Sequence, residues 1–448
     1  MRFVIIGGDA AGMSAASRAR RNDPKLEITV LEQGADVSYS ACNIPYNIAD
    51  PARELDDLVV RSAAAFRDKQ GIDLRTGHRV ERIDRDARTV HGRRGDGTAF
   101  AVPYDRLLIA TGATSIRPAI EGMDLPGVFT VKNLEDGRRI KRFLRERKAE
   151  RAVILGMGYI ALEMTEALVD LGLAVDLVKP RAGLLPWLHR ELAKPVRELL
   201  EQRGVGLYDG YRVDRISADG DRLTVHAGDL ALSADLVIAA IGVTPCAQLA
   251  EAAGLELSVG GSIATDRTLR TSDPEIFAAG DCADSYHLVT GAKTWIPLAL
   301  RANRAGWAVA DNVCGGRVEL PGVAGTAVFK VFDMQVARTG LSLAEARAAG
   351  FDPVEVQIRS RSRAGIYPGA RPLYVAMAGD RASGRLLGAQ MTGVDQVAHR
   401  INAAAVALLA GMRVDEFSQS DLAYAPPFGP TWDPLLVAAN QLIKQFSA

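Results

Sequence analysis

The chain opens on an apolar run, RFVIIGG, which breaks into the glycine turn GGDAAG (7–12) and then into the small-residue stretch MSAASRARR. A short continuous apolar run closed by glycine predicts a buried strand, and the alanine-rich stretch behind it predicts a helix. EITVLE then predicts a second strand, closing on Glu32. The same strand–turn–helix–strand pattern recurs over 151–179, RAVILGMGYIALEMTEALVDLGLAVDLVK. Further buried strands are expected in YDRLLIATGA (104–113), ADLVIAAIGVTP (234–245) and EIFAAGDCAD (275–284), with a helix over 297–316 stopped by Gly315 and Gly316. Beyond residue 322 the pattern changes to VFKVFDMQVARTGL, a helix over SLAEARAAG, strands at VEVQIRS, PLYVAMAGD and RLLGAQMTG, and a helix at HRINAAAVALLAGM. That stretch reads as a separate αβ unit.

The two repeated units carry recognisable chemistry. Glycines at a strand–helix turn let the backbone approach a pyrophosphate at the helix N-terminus, and an acid ending the second strand binds ribose hydroxyls. Gly7, Gly12 and Glu32 fit this at the expected spacing. Asp9 stands where a strict GxGxxG would have its middle glycine. The second turn, GMGYIA (156–161), is GxGxxA, so two dinucleotide sites are expected. Its second strand ends on Lys179, with Arg181 two residues on, in place of the acid. Those charges favour a 2′-phosphate and hence NADPH; ordinary surface charge is the alternative reading.

Composition narrows the field. Lys+Arg and Asp+Glu both count 54, so no global charge favours nucleic acid or a membrane surface. The longest uncharged run, 236–250, holds Gly242 and Pro245, so no membrane span is expected. Four widely spaced cysteines without CxxC suggest neither a disulfide framework nor a zinc or other metal site, and a reducing cytoplasm fits them.

One cysteine stands apart. Cys42 lies in SYSACNIPYN (38–47), ten residues past Glu32, among Ser38, Tyr39, Ser40 and Asn43, with Pro45 set against a local helix. In two-cysteine flavin disulfide reductases a second Cys follows about five positions on; here that position is Asn47. Any sulfur chemistry must therefore run through one thiol, by a mixed disulfide, a persulfide or a sulfenic acid with an external species.

Together GGDAAG, SYSACNIPY, ATG (110–112), GMGYIALE (156–163), EIFAAGDCAD and YAPPF (424–428) resemble the one-cysteine branch of the pyridine nucleotide–disulfide oxidoreductases. That branch includes coenzyme A-disulfide reductases, NAD(P)H-dependent persulfide and polysulfide reductases, and NADH oxidases. The resemblance implies an α/β fold: two Rossmann-like domains, for FAD and NAD(P)H, and a C-terminal α+β dimerisation domain. The expected boundaries are 1–112 with 243–321 for FAD, 113–242 for NADPH or NADH, and 322–448 for dimerisation.

It also implies roles. Cys42 is the redox thiol beside the flavin, and Tyr424 from the other subunit of a homodimer is a proton donor or thiolate stabiliser. The cofactors are expected against Gly7, Asp9, Ala11, Gly12, Glu32, Thr111, Gly112, Gly156, Gly158, Tyr159, Ile160, Glu163, Lys179, Arg181, Gly242, Gly280, Asp281, Pro297 and Ala299. A coenzyme A-like substrate is expected along Arg18, Arg21, Ser38, Tyr39, Asn43, Tyr367 and Trp432. Arg18 and Arg21, one helical turn apart, would clamp a phosphate; a solvated helix face is the alternative. In the RAGIYPG segment (363–369) Ile366 replaces an aromatic that the coenzyme A enzymes carry.

The expected activity is reduction of a disulfide, persulfide or polysulfide by NAD(P)H through FAD and Cys42. A nearby flavin and a helix N-terminus should make that thiol reactive at neutral pH. The alternatives are an oxidase cycling Cys42 through a sulfenic acid, and a flavoprotein serving as redox sensor or electron donor to another protein.

Overall fold

The computed structural model describes residues 1–446. The opening apolar run is the strand Arg2–Ile6, central in a five-stranded parallel sheet. The order is Ile276–Ala278, Arg106–Ile109, Arg2–Ile6, Glu27–Leu31 and Asp73–Arg75. The run lacks polar alternation because both faces of the sheet are covered. Phe3 and Ile5 pack with the helices Ala10–Asn22 and Ala299–Val313, whereas Val4 and Ile6 pack with Ile83, Val90 and Val102 of an antiparallel three-stranded sheet. The two helices lie close: a Cβ at Gly306 would sit 2.3 Å from the Ala11 carbonyl oxygen.

The middle of the chain repeats this plan. Gly206–Asp209, Ala174–Lys179, Arg151–Leu155, Leu236–Ala239 and Val128–Thr130 form a second all-parallel sheet. The helix Tyr159–Asp170 follows its central strand, and Arg215–Asp219, Arg222–Ala227 and Leu230–Ala234 supply the antiparallel layer. The chain enters and leaves through Ala113–Ser115 and Val243–Pro245, which pair antiparallel.

The last unit is an antiparallel sheet ordered Ala327–Val331, Met334–Gly340, Leu386–Gly393, Pro372–Asp380 and Pro353–Arg361. One face buries Val397–Ala410 and Pro434–Phe446. No element is expected over 434–446 from the pattern above. Pro434 nevertheless starts a helix there, where its missing N–H costs nothing, and Leu435, Leu436, Ala438, Ala439 and Leu442 bury one side. Phe329, Val331 and Phe332 share a core with Leu162 of the second unit and with Ile44 and Ile48, just past Cys42. The cysteine segment therefore stands at the junction of all three units.

Candidate active site

Ser38 turns the chain into the cysteine segment with φ +49°. Its N–H donates to the Gly8 carbonyl at 3.0 Å, and its own carbonyl accepts from Val60 N–H at 2.8 Å. Cys42 sits in the short 3-10 turn Ala41–Asn43, where Asn43 Nδ2 donates to Ser40 Oγ at 2.8 Å. Pro45 does not prevent a helix, contrary to expectation. Ile44–Ile48 is helical, and proline in its first turn removes only an N–H that lacks a partner there.

The far end of this helix is held by a buried lysine from the helix Leu134–Glu146. Lys141 Nζ donates to the carbonyls of Asn47 (2.8 Å), Asp50 (2.8 Å) and Arg53 (2.6 Å), and to Asn47 Oδ1 at 3.0 Å. Asn47 Nδ2 in turn donates to the Glu54 carbonyl at 2.9 Å. Asn47, where a second thiol would stand, is fully buried, whereas Cys42 is exposed.

Charged groups from several loops face Cys42. Lys132, just past the strand Val128–Thr130, pairs with Asp281 Oδ2 at 3.1 Å. Trp295 Nε1 donates to the Asp281 carbonyl at 2.8 Å, and Arg301 Nη1 to that of Gly280 at 2.9 Å. Arg301 lies in the helix opened by Pro297, Leu298 and Ala299, which sets that helix start beside Gly280–Asp281. Burial pushes the Asp9 carboxyl up to about 6, against the opposing pull of the Tyr39 N–H and of Lys132. The helix Tyr159–Asp170 contributes Glu163, pushed up to about 7, chiefly by burial. Tyr46 Oη donates to Glu163 Oε1 at 3.0 Å.

The protein's own groups pull against an acidic thiol. Although the residue as a whole is exposed, partial desolvation of its sulfur beside the folded segments, then the negative charge of Glu163, raise the Cys42 pKa, and Lys132 opposes them. Cys42 also precedes a helix of only five residues, too short for a strong N-terminal field.

The glycine turns fit dinucleotides on steric grounds. Gly7, at φ +109°, would place a Cβ 2.2 Å from the Ala110 carbonyl oxygen, and a Cβ on Gly12 would lie 1.9 Å from that of Gly7. Gly156, at φ +116°, would place a Cβ 2.4 Å from the Ala240 carbonyl oxygen. Glu32 is aimed by two backbone donors, Gly8 and Gly34 N–H, both at 2.7 Å. Thr111 Oγ1 donates to the Cys246 carbonyl at 2.6 Å. Gly112, Gly242 and Gly280 each follow the carboxyl end of a parallel strand, where open α/β sheets bind ligands. Ala11 packs in the core, Gly158 faces open space, and Tyr159 is 42% exposed, its ring 6.3 Å from that of Phe329. Ile160 is half-buried. An FAD would rest on Gly7–Gly12, Glu32 and Gly280–Asp281, and a nicotinamide dinucleotide on Gly156–Ile160.

Two expected anion sites are altered. Lys179 is buried and donates to the Gly183 carbonyl at 2.6 Å, so its ammonium is engaged by its own loop, whereas Arg181 is exposed. Arg18 does not pair with Arg21 as a clamp: it is bridged to Asp311 at 2.8 Å and lies over the Trp307 ring. Arg21 is exposed. At the C-terminal end, Tyr367, Tyr424, Phe428 and Trp432 are 37%, 49%, 67% and 63% exposed, as is Ile366 at 98%. In this single chain none of them is buried against Cys42.

Pyridine nucleotide-disulphide oxidoreductase is the family whose description matches residues 1–306, and its dimerisation domain matches 326–434. The chain belongs to this family. The oxidoreductase resembles a Pyrococcus horikoshii protein named NAD(P)H coenzyme A polysulfide/persulfide reductase, 36% identical over 98% of either chain. A Methanocaldococcus jannaschii NADH oxidase is 32% identical over all of both. Among solved structures, a NAD-dependent persulfide reductase from A. fulgidus superposes with TM-score 0.97 at 38% identity, over 100% of this chain and 84% of the other. Among the described residues, no helix of this oxidoreductase is long and apolar enough to cross a membrane.

Lys132, Lys141, Tyr46 and Gly8 join the site without having been expected in it. Two of them lie inside quoted motifs: Gly8 as the second glycine of GGDAAG and Tyr46 as the last residue of SYSACNIPY.

Proposed function

We propose that this enzyme is an FAD-dependent NAD(P)H oxidoreductase that reduces a persulfide, polysulfide or disulfide of a coenzyme A-like thiol through Cys42. The reading rests on one exposed cysteine, set among Asp9 and Asp281 of the first unit and Glu163 of the second, with Asn47 in place of a second thiol. A bound flavin supplies the two-electron relay between nicotinamide and sulfur. The net reaction of NAD(P)H, a proton and RSSR gives NAD(P)⁺ and two RSH; with RSSH in place of RSSR it gives RSH and H₂S.

The chain's own part is placement. Lys141 and Ser38 fix the two ends of the cysteine segment, Lys132 offers a positive charge to the thiolate, and Asp281 holds Lys132 in place. Residues 1–112 and 243–321 form the flavin unit in this reading, 113–242 the nicotinamide unit and 322–448 the dimerisation unit. Tyr424 of a second copy then delivers a proton at Cys42, in a cytoplasmic homodimer. Arg21, Ser38, Tyr39, Asn43, Tyr367 and Trp432 line the approach of substrate, with Arg18 acting from its bridge to Asp311.

The oxidase reading is kept because the M. jannaschii relative carries that name. Steady-state kinetics on a small persulfide, coenzyme A disulfide and oxygen decides between them. Persulfide should have the highest specificity constant, and Cys42→Ser should lose more than tenfold of it, about 1.4 kcal/mol of barrier, while keeping FAD. Oxygen as best acceptor, or a Cys42→Ser variant that still turns over persulfide, overturns the proposal.

A further inference from the structure

Two segments of the last unit carry the aromatic residues expected at the substrate. One is the loop 362–371, between the strands Pro353–Arg361 and Pro372–Asp380, which holds Tyr367. The other is the tail 424–433, leading into the helix Pro434–Phe446, which holds Tyr424 and Trp432. Ile366, Tyr424, Phe428 and Trp432 are all exposed, so burial does little to fix either segment. Polar bonds take that part. Ala364 N–H donates to the Pro426 carbonyl at 3.2 Å, which joins loop to tail directly.

The remaining bonds converge on one guanidinium. Arg400 lies in the first turn of the helix Val397–Ala410, and its side chain is largely buried. Its Nη1 pairs with Asp433, which in turn opens the last helix by accepting Leu435 N–H at 2.9 Å. Its Nη2 donates to the Phe428 carbonyl at 2.6 Å and to that of Ser362 at 3.3 Å. The fixed planar fork of an arginine thus spans tail, loop and helix start at once. Gly429 packs onto it: a Cβ there would lie 2.8 Å from Nη2. A second bridge, Arg363 to Asp395 at 3.2 Å, ties the same loop to the residues just ahead of the Arg400 helix.

We propose that Arg400 is a positioning residue that holds the Tyr424 tail and the Tyr367 loop as one body, and so sets the wall that one subunit presents to the other's Cys42. The inference rests on the reading of Tyr424 as acting across a homodimer. Arg400 works only through the two segments it holds. Bonds from a charged donor are the strong ones, and here they replace the apolar packing that the segments lack. The consequence for rate is steep, since a misplacement of about 1 Å can cost roughly 10²-fold.

The test pairs hydrogen exchange with complementation, both on the FAD-loaded protein. In Arg400→Met, peptides covering 362–371 and 424–433 should lose protection together, while the strands of the last sheet keep theirs. Loosening of one segment without the other, or no change, overturns the proposal. Gly429→Ala keeps the arginine and crowds its Nη2, so it should loosen the same two peptides; if Arg400→Met fails to fold, an unchanged pattern in Gly429→Ala overturns the proposal instead. Persulfide turnover in either variant should fall by roughly ten- to a hundredfold, with reduction of the flavin by NAD(P)H unchanged. Refolded together with Cys42→Ser, the variant should recover activity toward half, because an intact thiol then meets an intact tail. Refolded with Tyr424→Phe it should not recover, because both sites then carry a faulty tail. Recovery with Tyr424→Phe, or none with Cys42→Ser, overturns the proposal. If Cys42→Ser and Tyr424→Phe fail to complement each other, the reading across the dimer falls, and the exchange result separately decides whether Arg400 joins the two segments.

Discussion

Lys141 Nζ donates to Asn47 Oδ1 at 3.0 Å, and that one bond ties the position of a missing second cysteine to a buried ammonium. Among the described residues the lysine has no carboxylate partner; its charge is met by carbonyl oxygens at the end of the Cys42 segment. Asn47 has thus become part of the anchor that sets where the single thiol stands.

Lys141→Met should therefore cost about 1–3 kcal/mol of stability, because it strands buried acceptors. Denaturant unfolding of the variant checks the magnitude. In a double-mutant cycle with Asn47→Ala the two changes should be clearly non-additive, since they share a bond. Additivity would mean that the backbone carbonyls alone hold the lysine.

Complementation tests the site across the dimer. Cys42→Ser and Tyr424→Phe should each depress persulfide turnover, the latter by about 10²–10⁴-fold for a lost proton donor. Refolded together they form mixed dimers with one site carrying both changes and the other carrying neither. Activity should recover toward half of wild type per mixed dimer. No recovery would mean that Tyr424 serves its own chain.

Coenzyme choice should follow Arg181 alone. Arg181→Ser is expected to raise KM for NADPH several-fold more than for NADH. Lys179→Met should act on both coenzymes alike and mainly lower stability, because its ammonium is engaged with the Gly183 carbonyl. Equal effects of Arg181→Ser on both coenzymes would make it a surface charge.

Glu163 should leave a signature in pH-dependent stability. Its carboxyl binds a proton more tightly folded, at about 7, than the ordinary 4.5. Between those values the native state holds more protons than the unfolded one, so its contribution is complete below 4.5 and lost as pH rises through 7. Unfolding of the flavin-free protein across this window should show a shallower fall in Glu163→Gln than in wild type.

The parts legible from sequence were those written in contiguous residues. The paired strand–turn–helix patterns, the Cys42 stretch and the acid at Glu32 all lie within single local motifs. What escaped depends on distant segments meeting. Lys132 acquires meaning only beside Asp281, and Arg18 loses its expected freedom only because Asp311 lies opposite. Lys141 belongs to no local motif, and Lys179 reads as a 2′-phosphate ligand or a surface charge; in both, backbone carbonyls around the ammonium make burial tolerable. A nearby flavin and a helix N-terminus point to a reactive Cys42 thiol, whereas desolvation and then a carboxylate from the other nucleotide unit, Glu163, act against it, and neither is written in the local motif.

The pairing of Ile276–Ala278 with Arg106–Ile109 has a consequence for how the protein is made. These neighbouring strands are separated by about 170 residues, within which the whole second parallel sheet is encoded. At typical elongation rates of ~5–20 residues per second, the ribosome delivers the last strand roughly 10–30 s after its partner. For that interval the flank of Arg106–Ile109 is an open edge. The inserted unit is complete first, and it can serve as the folded body on which the first sheet later closes.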